Sequence, residues 1–236
     1  IAAHPDDEVL GCGGTILKHT ENGDKVHILI LAEGITSRQK KRDRSLVNLE
    51  LNKLKSSTDQ VSNLLNITSF ELLDFPDNRL DSIDILEIIK KIEEKIDILS
   101  PSIIYTHHNG DLNIDHKLIN QAVITACRPI KKNNNVKKIY SFEIPSSTDW
   151  QLNNNNNFKP NYFVDITNQL EKKIKAMEFY ESELKDWPHS RSKKGIESFA
   201  NIRGMQSGFK AAESFMLLRE LVDWIKILYS DVTLHI

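Results

Sequence analysis

"IAAHPDDEVLGCGG", residues 1–14, runs from a short apolar stretch into one histidine, three consecutive acids and three glycines within four residues. Ile1–Ala3 read as the end of a strand and Val9–Asn22 as a helix closed by Gly23, so the acids fall at a strand-to-helix turn. Two readings compete for them. Acids in a first helical turn complement the helix dipole, worth ~0.3–1 kcal/mol each; alternatively, they hold a cation and act on water. His4 and Asp7 are three residues apart, so one helical turn places them on the same side, while Asp6 points elsewhere. Glu8 best fits a purely structural role. Gly11, Gly13 and Gly14 permit close helix–sheet packing; as a phosphate cradle they are weak evidence.

Working outward, "KVHILILA" (25–32) is a short apolar run bounded by turn residues and reads as a buried strand. The basic loop "GITSRQKKRDR" (34–44) leads to a polar helix ending near Leu65. "SFELLDF" (69–75) is the next strand, with Pro76 and Asn78 marking its loop. Ile83–Ile98 has helical periodicity and "SIIYTHH" (102–108) is a strand. This β-α-β-α-β-α-β order predicts an α/β fold: a mostly parallel sheet with helices on both faces, right-handed crossovers and a less regular C-terminal part. There, "KKIYSFEI" (137–144) and "NYFVDI" (161–166) read as strands. "NQLEKKIKAMEFYESEL" (168–184) reads as an amphipathic helix, and "KAAESFMLLREL" (210–221) fits either state. The asparagine runs at 133–135 and 153–157 read as solvated insertions.

The 236 residues suffice for a single domain spanning 1–236, with 39% hydrophobic and 27% charged residues typical of a globular protein. A formal net charge of −2 argues against general nucleic-acid binding, and no apolar run is long enough to span a bilayer. Two cysteines, Cys12 and Cys127, supply neither a disulfide framework nor a cysteine-rich zinc site. That usage fits a reducing cytoplasm, the expected location. The chain opens at Ile1 inside a strand, which leaves room for a segment ahead of it.

Ligands of open parallel sheets sit outside the carboxyl ends of the strands. "AHPDDE" and "THHNGDLNIDH" (106–116) both leave strands at that end, so two histidine-and-aspartate loops are expected on one rim. His4, Asp7 and His116 together offer one carboxylate and two imidazoles with a position open to water, a common arrangement for catalytic zinc. Zinc can lower the pKa of bound water to roughly 7, and Asp6, adjacent but not a ligand, could act as general base. The plainer alternative makes His116 the start of a helix capped by Asp115. His107 and His108 are expected to support the strand end. A two-carboxylate glycosidase explains neither histidine.

The pair "AHPDDEVLGCGGTI" and "THHNGDLNIDHKLINQAV" resembles the PIG-L/LmbE-like metal-dependent N-acetylglucosaminyl deacetylases. "GITSR", "LLDFPDNRLD", "FEIPSSTDW", "FYESEL" and "PHSRS…RGMQSGFKAAESF" extend the likeness over nearly the whole chain. The resemblance implies a Rossmann-like fold, a single zinc (iron in some settings) and hydrolysis of an N-acetyl group on an amino sugar. It implies His4, Asp7 and His116 as metal ligands, Asp6 as general base, and Asp115 as the carboxylate that orients a ligating histidine. One departure is Asn113, where several relatives carry a histidine three residues before the last ligand. Asparagine can donate to a developing oxyanion but cannot pass a proton to the leaving amine, so Asp6 is expected to do both proton transfers. For the sugar, Arg38 in the basic loop, Asp77, His189 and Arg191 are the candidate contacts, and Trp150 is a candidate stacking residue. The expected partner is a small amino-sugar substrate, free or carried on a nucleotide or lipid; self-association is left open. The alternatives are an amidase acting on a non-sugar or thiol-linked amide, and a non-catalytic carbohydrate-binding relative.

Overall fold

Ala2 pairs with Ile30 in a parallel bridge and Ile1 donates its amino group to the Tyr105 carbonyl at 2.9 Å, so the first residues lie between two sheets. The computed structural model describes residues 1–130, 135–152 and 156–222, the side chain of Arg38 excepted. One sheet pairs β1 (His27–Ala32) with β2 (Ser69–Phe75) in parallel. The other has the order β3 (Ile103–His107), β4 (Lys138–Phe142), β6 (Ala212–Glu220), β5 (Tyr162–Asp165). β3 and β4 are parallel, whereas β6 runs antiparallel to both β4 and β5. The parallel part therefore carries the N-terminal half, and the C-terminal third closes the sheet with antiparallel strands.

Among the described residues, six α-helices cover the strands: α1 (Asp7–Glu21), α2 (Asn48–Leu64), α3 (Ile85–Leu99), α4 (Ile114–Ala126), α5 (Leu170–Glu178) and α6 (Lys193–Ser207). β1 shows why they must lie on both faces. Ile28 and Ile30 enter a core with Val9, Leu10 and Ile16 of α1 and with Ala176 and Met177 of α5. Leu29 and Leu31 point the other way, into a core with Ile88 and Ile92 of α3 and Ile119 and Val123 of α4. A strand apolar at consecutive positions has no face to give to water.

α1 lies unusually close to its neighbours. A Cβ on Gly14 would come within 2.6 Å of Ile166 Cγ2, and one on Gly11 within 2.5 Å of Phe142 Cδ2. That closeness lets a buried ion pair reach the helix backbone. Glu213 of β6 accepts from the Gly14 and Thr15 amides at 2.8 and 2.7 Å. Lys173 of α5 donates to Glu213 at 2.6 Å and to the Leu10 carbonyl at 2.8 Å. The C-terminal third is thus fastened to the helix that begins at Asp7, and an ion pair satisfied by peptide groups meets the condition on which buried charge is tolerated.

Three segments differ from the sequence reading. α5 stops at Glu178 rather than near Leu184, because the chain turns there and Tyr180 reaches under α1 to donate to Glu8 at 2.7 Å. "KAAESFMLLREL" is a strand, and α6 has no counterpart in the sequence reading. The asparagine runs fall largely outside the described residues. A cavity of about 430 Å³ lies between Val26–Leu29 and Ser102–Tyr105, with Ala2 and Glu8 also in its lining. It is lined mainly by apolar side chains and is separate from the acid–histidine cluster.

Candidate active site

The turn after Ala3 and the loop after β3 meet around Asp7. Its Oδ2 accepts from the His4 amide at 2.9 Å and lies 3.3 Å from His4 Nδ1, 3.3 Å from His116 Nε2 and 3.5 Å from His107 Nε2. Ligand atoms of His4, Asp7 and His116 all lie within 4.8 Å of one another. The set is deeply buried: Asp7 is 0% and His116 1% exposed. Yet Asp7 Oδ1 and both His116 ring nitrogens have no hydrogen-bond partner among the described residues. Buried polar atoms in native proteins are nearly always satisfied, so unsatisfied His116 Nε2, on the Asp7 side of its ring, and unsatisfied Asp7 Oδ1 fit a cation held beside His4. Two imidazoles and one carboxylate are the donor set that zinc takes in catalytic sites.

Each outer histidine has a carboxylate behind it. His4 Nε2 faces Asp115 Oδ2 at 3.1 Å and Asp77 Oδ1 at 3.3 Å, which leaves Nδ1 toward Asp7. His116 Nδ1 lies 3.2 Å from Asp111 Oδ1, though not aligned for a hydrogen bond. Asp111 in turn accepts from the Ser147 and Thr148 hydroxyls and from the Asn113 amide. Such carboxylate–histidine pairs fix the ring orientation that a metal needs. Burial opposes the charge on both rings, but Asp115 and Asp7 hold His4 well above the ordinary histidine pKa. Against the same burial, Asp7 and Asp111 raise His116 to about 9. A cation bound here must displace those protons, so its affinity rises with pH. For Asp7, burial alone would raise the pKa, but the neighbouring rings, His116 foremost, hold it well below the carboxylate range.

His107 sits inside this cluster in a different role. Its Nε2 accepts from the Ala3 amide at 2.8 Å, and its ring stacks on His116 at 3.8 Å between centroids. Desolvation lowers its pKa well below the ordinary value, which keeps it the neutral spacer under a ligand-type ring. His108 is also buried, its Nε2 2.9 Å from the Asn156 carbonyl and its ring edge-on to Phe158.

Asp6 is 2% exposed and occupies the left-handed region, with φ 121°. A non-glycine residue there costs of order 1–3 kcal/mol and persists only where its surroundings hold it. Its amide donates to Glu8 Oε2 at 3.0 Å, and its Oδ2 accepts from Arg191 Nη1 at 2.7 Å. Burial pushes the Asp6 carboxyl well above its ordinary value, against the pull of Arg191. Glu8, held by Tyr180 and the Asp6 amide, is raised to about 7, burial again being the main cause.

The remaining candidates separate. Arg191 meets Asp6, with Nε donating to Ser146 Oγ at 2.8 Å. Asp77 is buried against His4 and accepts from the Ser37 amide at 3.2 Å. His189 Nδ1 accepts from the Arg191 amide at 3.0 Å, and its ring meets Trp150. Asn113 caps α4, accepting from the Asp115 amide at 2.8 Å and donating to Asn78 Oδ1 at 2.8 Å. The Arg38 side chain lies outside the described residues, while Arg42 and Arg44 in the same loop pair with Glu33 and Asp74. Asp111 was missed by sequence reasoning. Its only sequence signal is a carboxylate five residues before His116, a spacing with no periodic meaning. Asp111→Asn should lower metal affinity about 10–100-fold while the protein stays folded; chelator competition reads it, and unchanged affinity would remove Asp111 from the site.

Comparisons with known proteins find related sequences and similar folds. The diacetylchitobiose deacetylase of Thermococcus kodakarensis is 29% identical over 221 residues, covering 90% of this chain and 79% of that protein. The N,N'-diacetylchitobiose deacetylase structure from Pyrococcus horikoshii superposes with a TM-score of 0.73 at 20% identity, covering 92% of this chain and 82% of that one. A 4-carboxy-2-hydroxymuconate hydratase from Pseudomonas putida also superposes with a TM-score of 0.73, at 19% identity and covering 94% and 95% of the two chains. The fold alone thus hosts more than one reaction. The family model described as PIG-L, GlcNAc-PI de-N-acetylase, matches residues 1–127, which include every member of the His4–Asp7–His116 cluster, and this chain belongs to that family.

Proposed function

We propose that the protein is a metal-dependent hydrolase that removes the N-acetyl group from an N-acetylated amino sugar, releasing acetate and a free amine. The observation that carries this reading is the buried His4–Asp7–His116 set, with its unsatisfied ligand atoms, next to a carboxylate that is not one of the three. We assign His4, Asp7 and His116 as the ligands and zinc as the metal, with iron the alternative. The bound cation supplies a Lewis acid for the amide carbonyl and a water whose pKa is lowered to roughly 7.

Asp6 takes the water proton as the water oxygen bonds to the acetyl carbon, and returns it to the amide nitrogen as the C–N bond breaks. One carboxyl serves both steps because burial favours its protonated form against the pull of Arg191, so a proton taken from water can rest on it until the nitrogen accepts it. Arg191 acts here as a positioning residue for Asp6 and not as a substrate contact: its guanidinium fixes which carboxylate oxygen faces the reacting atoms. Asn78 takes one of the two amide hydrogens of Asn113; the other is the donor we assign to the oxyanion, a role worth about 10²–10³ in rate. Both cysteines are buried and unpaired, and we place the reaction in the reducing cytoplasm.

Acetate release from a panel of N-acetylated amino sugars, free and nucleotide- or lipid-linked, tests the reading. Release from at least one sugar, abolished by chelator and restored by zinc or iron, is expected. A metal-loaded protein that releases acetate from none of them contradicts it.

A further inference from the structure

We propose that Glu8 and Tyr180 are positioning residues for Asp6: they clamp its peptide in the conformation that turns the carboxylate away from α1 and toward the reacting atoms. The inference rests on the deacetylase reading and adds two residues to it. One of them, Tyr180, lies beyond the stretch 1–127 that holds the His4–Asp7–His116 cluster.

Asp6 occupies the cap position ahead of α1, where an aspartate ordinarily turns its carboxylate onto the free amides of the first helical turn. It makes no such bond. At φ 121° and ψ −31° its side chain leaves the helix end, and Oδ2 accepts from Arg191 at 2.7 Å instead. A carboxylate spent on capping has fewer lone pairs for a water proton. The strained backbone keeps this one available, and such a backbone persists only where its surroundings hold it.

Both backbone groups of Asp6 are held. Its carbonyl accepts from the Val9 and Leu10 amides at 3.1 and 2.9 Å, the opening bonds of α1. Its amide donates to Glu8 Oε2 at 3.0 Å. Glu8 thus supplies the return half of a capping box, a carboxylate reaching back to the amide of the cap residue, while the forward half is missing.

Glu8 is itself fixed from across the molecule. It is 3% exposed, and its other oxygen, Oε1, accepts the Tyr180 hydroxyl at 2.7 Å. Tyr180 stands just past the end of α5, with its amide on the Met177 carbonyl at 3.0 Å and its ring in the core that holds Val9 and Leu10. Three residues on, Glu183 donates its amide to the Tyr180 carbonyl at 2.9 Å and brings its carboxylate within 3.6 Å of Arg191 Nη1. One turn therefore reaches Asp6 along two routes, through Glu8 to its amide and through Arg191 to its carboxylate. Satisfying a buried hydroxyl would explain the Tyr180 contact alone. The convergence of both routes on one residue points to positioning.

The test is a double-mutant cycle read as acetate release per bound metal, from N-acetylglucosamine or N,N'-diacetylchitobiose, whichever wild type hydrolyses. Tyr180→Phe and Glu8→Ala should each lower kcat about tenfold or more, with KM within about twofold and metal content unchanged, since small misplacements of a reacting group act on that scale. Glu8→Gln, whose amide oxygen can still accept from Asp6, should recover most of the loss. In the Asp6→Asn background, Tyr180→Phe should change the residual rate less than about twofold, because a residue that acts through the Asp6 carboxylate has nothing left to position. An equal loss in both backgrounds would make Tyr180 a structural residue, and an unchanged kcat in Tyr180→Phe would show that Asp6 is held without it; either overturns the proposal. If Glu8→Ala fails to fold, Tyr180→Phe decides. Acetate from neither sugar with wild type would instead remove the deacetylase reading, and this inference with it.

Discussion

Asp6→Asn should keep its metal and lose about 10²–10⁴-fold in the rate of acetate release, the contribution typical of a positioned acid–base group. The substitution isolates proton transfer. Asparagine matches the carboxylate in shape, and its amide oxygen can still accept the Arg191 hydrogen bond that Asp6 Oδ2 accepts at 2.7 Å. The strained backbone at φ 121° is held as well by the bond from the Asp6 amide to Glu8, which the substitution leaves in place. Metal content should therefore stay at the wild-type level while turnover collapses. A variant with full metal and activity within a few-fold of wild type would move the base to another residue.

His116→Ala should lose both metal and activity. The ring is 1% exposed, stacked on His107 at 3.8 Å and set between Asp7 and Asp111 at 3.3 and 3.2 Å. Without it, two buried carboxylates lose the group between them, and an uncompensated buried charge costs about 3–5 kcal/mol. A lower melting temperature is thus expected along with the metal loss. His116→Asn, which keeps a polar atom in the gap, should recover part of the stability and none of the activity. Metal analysis after dialysis reads the first effect and thermal unfolding the second. Wild-type metal content in the alanine variant would contradict the ligand assignment.

The fold was legible where burial is uniform and illegible where it is not. β1 stands out because apolar residues at consecutive positions have few other uses, and the helix after "AHPDDE" follows from its acids and its closing glycine. α6 escaped because its buried residues are Gly195, Ile196, Ala200 and Gly204, three of them too small to give a hydrophobic stripe. β6 fitted either state because its alanine, glutamate, methionine and leucine also favour helices; pairing with β4 and β5 on both sides decides for the strand. In the site, the sequence carried the short-range geometry. His4 and Asp7 share a turn, and Asp115 precedes His116 on the same helix. Long-range pairings left no such mark. Arg191 read as a substrate contact, yet it meets Asp6 across 185 positions, and Asp77 read as a sugar contact but lies behind His4.

Anomalous diffraction from crystals of the protein with its native metal tests the central claim most directly. The account predicts one strong peak in contact with His4, Asp7 and His116 together, with Asp6 beside it and not bonded to it. A metal held elsewhere, or bound by Asp6 in place of Asp7, would contradict it.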